Sequence, residues 1–286
     1  MSKLNDAIKM AKDGQSKIAR SNIERFLVSE KRDNRSKEFH PSSAEACGRA
    51  VVMGMLDTSF QPDPIDPNLA LTFGVGNYLH MMIQDLLIKG EFCADDERYQ
   101  EWEKKLKEFC ETEFQDSLLI QDNRLNRFCR DFRRYMNPNV EVPVSHKKIN
   151  IVGHSDALVV FGGNEYILDI KTINSRRFDF QLKEPPYKDK IQLLVYMYLL
   201  AKTKGILFYY CKDNNKTKEF YIKMEDYSEV VQVKMDWFKY LKECVAVGRL
   251  PERPTEAGVD EKMCKFCYYK KPCWAGTVVT IARSPF

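Results

Sequence analysis

No stretch of the chain approaches the roughly 18 consecutive apolar residues that a membrane-spanning helix needs, so no membrane partner is expected. The opening residues, MSKLNDAIKMAKDGQSKIAR, space their apolar side chains and contain no signal-peptide core, which makes a cytoplasmic location the default. Internal repeats and low-complexity tracts are both missing, so neither a repeat architecture nor a disordered tail is expected. The pattern G-x-x-x-x-G-K-[ST] does not occur, which argues against a P-loop nucleotide hydrolase. The nine cysteines are an odd number in a chain without a secretory signal, so a disulfide framework is not expected.

What is present is ordinary in bulk. In 286 residues, 44% are hydrophobic and 12% aromatic, enough for one good core with a smaller appended unit. The net charge of +4 permits a nucleic-acid partner without demanding one. Positive charge is clustered locally: Arg130, Arg133 and Arg134; Lys147 and Lys148; Arg176 and Arg177; Lys183, Lys188 and Lys190. Each cluster taken singly reads as a solvated face.

Along the chain the hydrophobic period changes. Residues 1–30 read as helix with a break at Gly14. In HPSSAEACGRAVVMGML, Ser42 and Glu45 fit a capping box, which would place Cys47 in the first turn. NLALTFGVGNYLHMMIQDLLIKG reads as a helix carrying His80, and residues 98–135 as two more. From residue 139 the pattern alternates, with turns at Gly162-Gly163 and Asn214-Asn215. YKDKIQLLVYMYLLAKT and YSEVVQVKMDWFKYLKECVAVG are helical, the second closed by Gly248. The expected fold class is an α/β core flanked by helical additions. Four units are expected: a helical segment at 1–40, a helical unit at 41–138, the core at 139–250 and a cysteine-rich tail at 251–286.

The chemistry concentrates in GHSDALVVFGGNEYILDIK. With Gly162-Gly163 as a two-residue loop, Phe161 faces Asn164, and counting back puts Asp156 opposite Asp169. Their Cβ atoms would lie roughly 5 Å apart. Like charges there need neutralising, as a divalent cation would do, and removing one carboxylate should stabilise the metal-free protein or leave it unchanged. Lys171 falls on the same face as Asp169 by the period of two. Two carboxylates and an ammonium can hold a metal ion and stabilise a pentacovalent phosphoryl transition state. Gln192 and Tyr196, four apart, share a helix face. The same residues also admit a plainer reading, with one aspartate facing solvent, Tyr196 in the core and Gln192 on the surface.

GHSDAL, LDIK and QLLVY in this order, with His80 on an upstream helix, resemble the RecB-like branch of the PD-(D/E)xK nucleases over residues 40–275. The resemblance implies a restriction-endonuclease-like core, a small mixed sheet flanked by helices, and a metal-dependent DNA exonuclease acting on single strands or free ends. It implies Asp156, Asp169 and Lys171 as catalytic residues. The metal, Mg²⁺ or Mn²⁺, would take His80, Asp156, Asp169, the backbone carbonyl of Ile170 and Glu141. Gln192 and Tyr196 would line the DNA path. His154, which the hairpin register sets opposite Lys171, matches nothing in the pattern and reads as peripheral. The settings implied are recombination, repair or CRISPR adaptation, with unwinding supplied by a helicase or recombination partner.

Cys264, Cys267 and Cys273 are one thiol short of a metal site, and Cys47 is the best fourth. Zinc is one reading. One early and three late cysteines also resemble the iron–sulfur subgroup of this branch, which implies a [4Fe–4S] cluster tying the chain's ends together. The remaining cysteines, Cys93, Cys110, Cys129, Cys211 and Cys244, read mostly as buried thiols. A catalytically silent, cluster- or zinc-stabilised DNA-binding module of a larger complex is the alternative function.

Overall fold

The computed structural model describes residues 37–56, 67–91, 100–101, 104–105, 108, 139–180, 182–253, 263–265 and 267–274. The helix expected at 1–30, Cys93, Cys110, Cys129 and the arginines 130, 133 and 134 lie outside the described residues. So does most of 98–135, of which residues 100, 101, 104, 105 and 108 are described, all helical.

The order of elements is α1 (Gly48–Met55), α2 (Pro67–Glu91), β1 (Val140–His146), β2 (Ile151–Phe161), β3 (Asn164–Ile173), α3 (Ser175–Phe180), α4 (Tyr187–Leu199), β4 (Lys204–Cys211), β5 (Thr217–Lys223), α5 (Ser228–Ala246) and α6 (Lys270–Trp274). The strands form one sheet in the order β1-β2-β3-β4-β5. Every pairing is antiparallel except β3 with β4. This is the mixed sheet flanked by helices of a restriction-endonuclease-like α/β fold.

Local chemistry fixes the connections. Gly162 and Gly163 both take positive φ, 56° and 74°, as a two-residue hairpin between right-twisted strands requires. Asn215 supplies the positive φ (59°) in the β4–β5 turn. The parallel β3–β4 pair needs a crossover, and α3 with α4 provides it. α5 ends just before Gly248, whose φ of 65° suits a helix terminus.

Both sheet faces are covered. α4 buries Ile191, Leu193, Leu194, Val195 and Met197 in the main core, joined by Val231, Met235, Phe238, Leu241 and Cys244 of α5. On the opposite face, Val140, Ala157, Leu168, Ile170 and Ile206 pack with Ile83 of α2. Cys211 and Cys244 are buried and free, as small apolar side chains should be. No helix among the described residues is long and apolar enough to cross a membrane.

The start of α1 differs from the expected capping box. Residues Pro41–Ser43 form a 3-10 turn, and α1 begins only at Gly48, with Cys47 as its N-cap residue rather than inside its first turn. Glu45, the acid of the expected box, is engaged elsewhere. Ser43 donates its hydroxyl to the His40 carbonyl at 2.6 Å, and the Glu45 carboxylate pairs with Lys234 of α5.

α4 lies against β4 where the strand has no side chain. A Cβ built on Gly205 would sit 2.7 Å from Met197 Sδ and 2.9 Å from Leu193 Cδ2. Gly205→Val should therefore destabilise the protein by about 1–3 kcal/mol through overpacking, read as a fall in the denaturant midpoint at unchanged m-value. The matching Gly163→Val, with nothing within 4 Å of its Cβ, should cost only what the strained φ imposes.

Candidate active site

Each candidate side chain is placed by the element that carries it. β3 alternates faces. Ile167 and Ile173 enter the core beneath α4, while Leu168 and Ile170 enter the layer beneath α2. Asp169 and Lys171, two residues apart, share the α4 face.

The β2–β3 ladder has the expected register, from Phe161 opposite Asn164 to Ala157 opposite Leu168. It stops one step before the two aspartates would pair. β3 continues beside β4 instead, with Lys171 opposite Tyr209. Asp156 then turns its carboxylate into the gap, and Oδ2 accepts the backbone N–H of Ile170 at 2.5 Å. On the other side of β2, the β1 ladder pairs Val140 with Ala157 and Val142 with Ser155 but has no pair between Glu141 and Asp156. Glu141 there takes a φ of 51°. His154 pairs with Pro143 of β1 rather than facing Lys171, because β2 has left β3 by that point.

The polar contacts converge. Lys171 Nζ lies 2.8 Å from Asp169 Oδ2 and donates to Gln192 Oε1 at 3.0 Å. The Gln192 amide donates to Asp169 Oδ1 at 3.4 Å and to the Tyr196 hydroxyl at 3.5 Å. His80 Nδ1 is 3.8 Å from Asp156 Oδ1. Gln84, one helical turn beyond His80, donates to Glu141 Oε1 at 2.9 Å and to the Asp156 carbonyl at 3.4 Å. α2, β1, β2, β3 and α4 thus bring His80, Glu141, Asp156, Asp169, Lys171, Gln192 and Tyr196 into one neighbourhood. Ile170 enters through its N–H.

Two partners escaped sequence reasoning. Gln84 stands four residues after His80, a spacing that could have flagged it. Asp189, in the first turn of α4, accepts the Tyr209 hydroxyl at 2.7 Å in a buried pair. An aspartate so early in an apolar helix reads equally well as a solvated N-terminal acid.

Burial dominates the electrostatics. Asp169 is 1% exposed. Burial, with Asp156 adding, pushes its carboxyl up to about 6 against the opposing pull of Lys171. Burial also works against the Lys171 ammonium, but Asp169 and Asp156 outweigh it and hold that group above its ordinary value. Burial and Asp169 raise the Tyr196 phenol well above the usual range, so it stays a neutral donor.

The side chains suit a hard cation. Asp169 Oδ2 is buried, with the Lys171 ammonium 2.8 Å away as its charge partner. Asp156 Oδ1 has its histidine neighbour beyond hydrogen-bond distance. Among the described residues, no three His, Cys, Asp or Glu side chains converge to enclose an ion. That leaves two carboxylates with room for water and phosphate, the mode typical of Mg²⁺.

Residues 41–274 match the PD-(D/E)XK nuclease superfamily. The chain belongs to this superfamily. It is therefore a nuclease, and members of the superfamily typically use divalent ions such as Mg²⁺ or Mn²⁺. Structures of similar chains include that of SSO0001, at 18% identity over 90% of this chain and 93% of that one, with a TM-score of 0.37. An alkaline exonuclease, LHK-Exo, from Laribacter hongkongensis matches at 14% identity over 73% of this chain and 90% of its own, with a TM-score of 0.33. Its complex with dAMP matches at 14% identity over the same shares, with a TM-score of 0.34. No curated protein gives a significant match.

The raised carboxyl makes stability depend on pH. Asp169 is protonated more readily folded than unfolded, so its ionisation opposes folding. The penalty is absent below about pH 4, grows up to about pH 6, and is complete above. In EDTA, Asp169→Asn should gain about 1–3 kcal/mol of stability at pH 7.5 and nothing near pH 4. Denaturation midpoints at the two pH values would show this; an equal gain at both would assign it to packing instead.

Proposed function

We propose that the chain is a Mg²⁺- or Mn²⁺-dependent DNA exonuclease acting on single-stranded or free-ended DNA in recombination, repair or CRISPR adaptation. Asp156 and Asp169 would hold the metal, and His80, Glu141 and the Ile170 carbonyl would join them as protein ligands only by closing in on the bound ion. The observation that carries this reading is the buried Asp169 carboxylate held between Asp156 and Lys171 where β2 parts from β3. A bound divalent ion supplies positive charge that polarises the phosphoryl group and acidifies water. The chain's own residues do the positioning. Ile170 N–H fixes the Asp156 carboxylate so that only one of its oxygens faces the site. Lys171, kept charged by its acids, offers an ammonium to the developing negative charge at phosphorus. Gln192 holds Lys171 and Asp169 in one arrangement and, with Tyr196, meets the strand.

Linear and circular single-stranded DNA in Mn²⁺ test the activity. The wild type should degrade the linear form and spare the circle. Asp169→Ala and Lys171→Ala should each lower the rate by about a hundredfold or more. Asp156→Asn, which keeps an acceptor for Ile170 N–H, should do the same without unfolding the sheet. A near-wild-type rate in Asp169→Ala at saturating Mn²⁺ would overturn the assignment.

The cysteines fit a cluster-bearing version of this nuclease, with Cys264, Cys267 and Cys273 of the late segment set beside Cys47 at the start of α1. Cys47, Cys264, Cys267 and Cys273 all line one cavity, together with Arg49 and Arg253. Burial raises the Cys267 thiol, and the sulfurs of Cys47, Cys264 and Cys273 add to the effect. The four sulfurs do not converge to ligand distance, so Cys47, Cys264, Cys267 and Cys273 would have to move together to hold a [4Fe–4S] cluster, or Zn²⁺ as the alternative occupant. Anaerobically purified protein should be brown with about four irons per chain. Serine at any of these four positions should remove the colour, while Cys211→Ser and Cys244→Ser should keep it. Colourless wild type containing zinc would replace iron by zinc, and unchanged metal content in Cys47→Ser would remove the shared site.

A further inference from the structure

We infer that the open cleft beside the carboxylates is a subsite for one terminal nucleotide, whose phosphate is held by His40 and His154. The inference rests on the exonuclease reading above and adds what that reading lacks, a place for the end of the strand.

The cleft measures ≈ 510 Å³, and Glu141 and Tyr196 form part of its wall. It is therefore continuous with the site rather than a separate depression. Its size falls within the roughly 300–1,000 Å³ of pockets that take a small ligand. That suits one nucleotide, not a track of several.

Local structure explains the shape. β1 and β2 form the floor, with His154 opposite Pro143 and Gly153 opposite Val144. The Pro41–Ser43 turn forms the facing wall. It is anchored by Phe39, which donates its N–H to the Asn150 carbonyl at 2.8 Å and accepts the Val152 N–H at 2.9 Å. A Cβ on Gly153 would stand 3.0 Å from Pro41 Cδ, so the turn closes down on β2 only because residue 153 has no side chain.

The lining is divided by chemistry. His40, Ser42 and His154 are its donors outside the carboxylate group. His40 and Ser42 are solvent-exposed, so a phosphate can reach them from outside. Imidazole N–H and hydroxyl groups are suited to phosphate oxygens. Pro143 and Val152 give apolar surface for the sugar and base.

With the terminal nucleotide in the cleft, the next phosphodiester lies at Asp156 and Asp169, and the strand continues past Gln192. One water adds to phosphorus and the bond from phosphorus to the departing oxygen breaks. That oxygen takes up a proton, and the products are a nucleoside monophosphate and a strand shorter by one nucleotide.

Two measurements test the subsite. In EDTA, wild-type protein titrated with dTMP by NMR should show saturable binding. Binding should weaken about tenfold or more in His40→Ala/His154→Ala and vanish in Ser42→Trp, which fills the mouth from an exposed position. In Mn²⁺ with linear single-stranded DNA, the double variant should raise KM about tenfold and leave kcat within about threefold. His154→Gln, which keeps a donor, should recover most of the loss contributed by His154. Undiminished dTMP binding in both the double variant and Ser42→Trp would overturn the subsite, as would a fall in kcat at unchanged KM. A wild type that cleaves no DNA in Mn²⁺ would overturn the exonuclease reading instead, and the dTMP titration would still decide the cleft.

Discussion

The hydrogen bond from Ile170 N–H to Asp156 Oδ2 is the contact on which the site depends. β3 has to serve two neighbours of opposite direction. It pairs antiparallel with β2 as far as Leu168 and runs parallel to β4 from Ile167 onward. Where β2 departs, Ile170 would be left with an unpaired N–H in a fully buried residue, a loss of about 1–3 kcal/mol. The Asp156 carboxylate replaces the missing backbone acceptor. One side chain thereby completes the sheet and delivers a negative charge to the end of the hairpin. This changes the simple repulsion argument. Relief of like charge favours loss of Asp169, whereas loss of Asp156 also strands a buried donor.

Asp169 is held by different means. It projects from the middle of the sheet into the layer that α4 covers, where burial penalises its charge more than Lys171 compensates. The carboxylate survives there only within a network. Lys171 approaches one oxygen and Gln192 donates to the other. Gln192 can do so because α4 packs closely on β4 over Gly205. The neighbouring Asp189 adds a further negative field, moderated by the Tyr209 hydroxyl it accepts. A site balanced against burial in this way gains most from a cation, since an added positive charge is felt strongly where water is excluded.

Much of this was legible in the sequence, for definable reasons. The change in hydrophobic period located the sheet, and the Gly162-Gly163 dipeptide fixed the hairpin register to the residue. Apolar helices carrying His80, Gln192 and Tyr196 were visible as periodic segments. What was hidden depends on where pairing ends. Nothing local in SDALVV says that β2 parts from β3 before Asp156, because that follows from β4 capturing the other edge of β3. The Asp189–Tyr209 contact joins a helix to a strand twenty residues later, and neither residue is unusual in its own segment. α1 starts later than expected, and Glu45, a fitting capping residue by spacing, pairs with a lysine on α5.

The cysteine-lined cavity and the carboxylates are distant in sequence, yet packing joins them in a few steps. Tyr269, between Cys267 and Cys273, lies over Gly54 of α1, its hydroxyl 3.2 Å from where a Cβ would stand. A Cβ on Gly48 of the same helix would stand 2.9 Å from Leu241 Cδ2 and 3.5 Å from Trp237 Cζ2 of α5. Trp237 stacks edge-on with Phe238 at 5.0 Å, and Phe238 meets the Phe39 ring at 5.7 Å. Phe39 is paired with the backbone around Ile151 at the start of β2, the strand that ends its journey through the site at Asp156. The links are close approaches over glycine, aromatic pairs and one backbone bridge, all in a close-packed core of low compressibility. These contacts give a change in the cysteine region a packed route towards β2 and the carboxylates without a direct contact between the two.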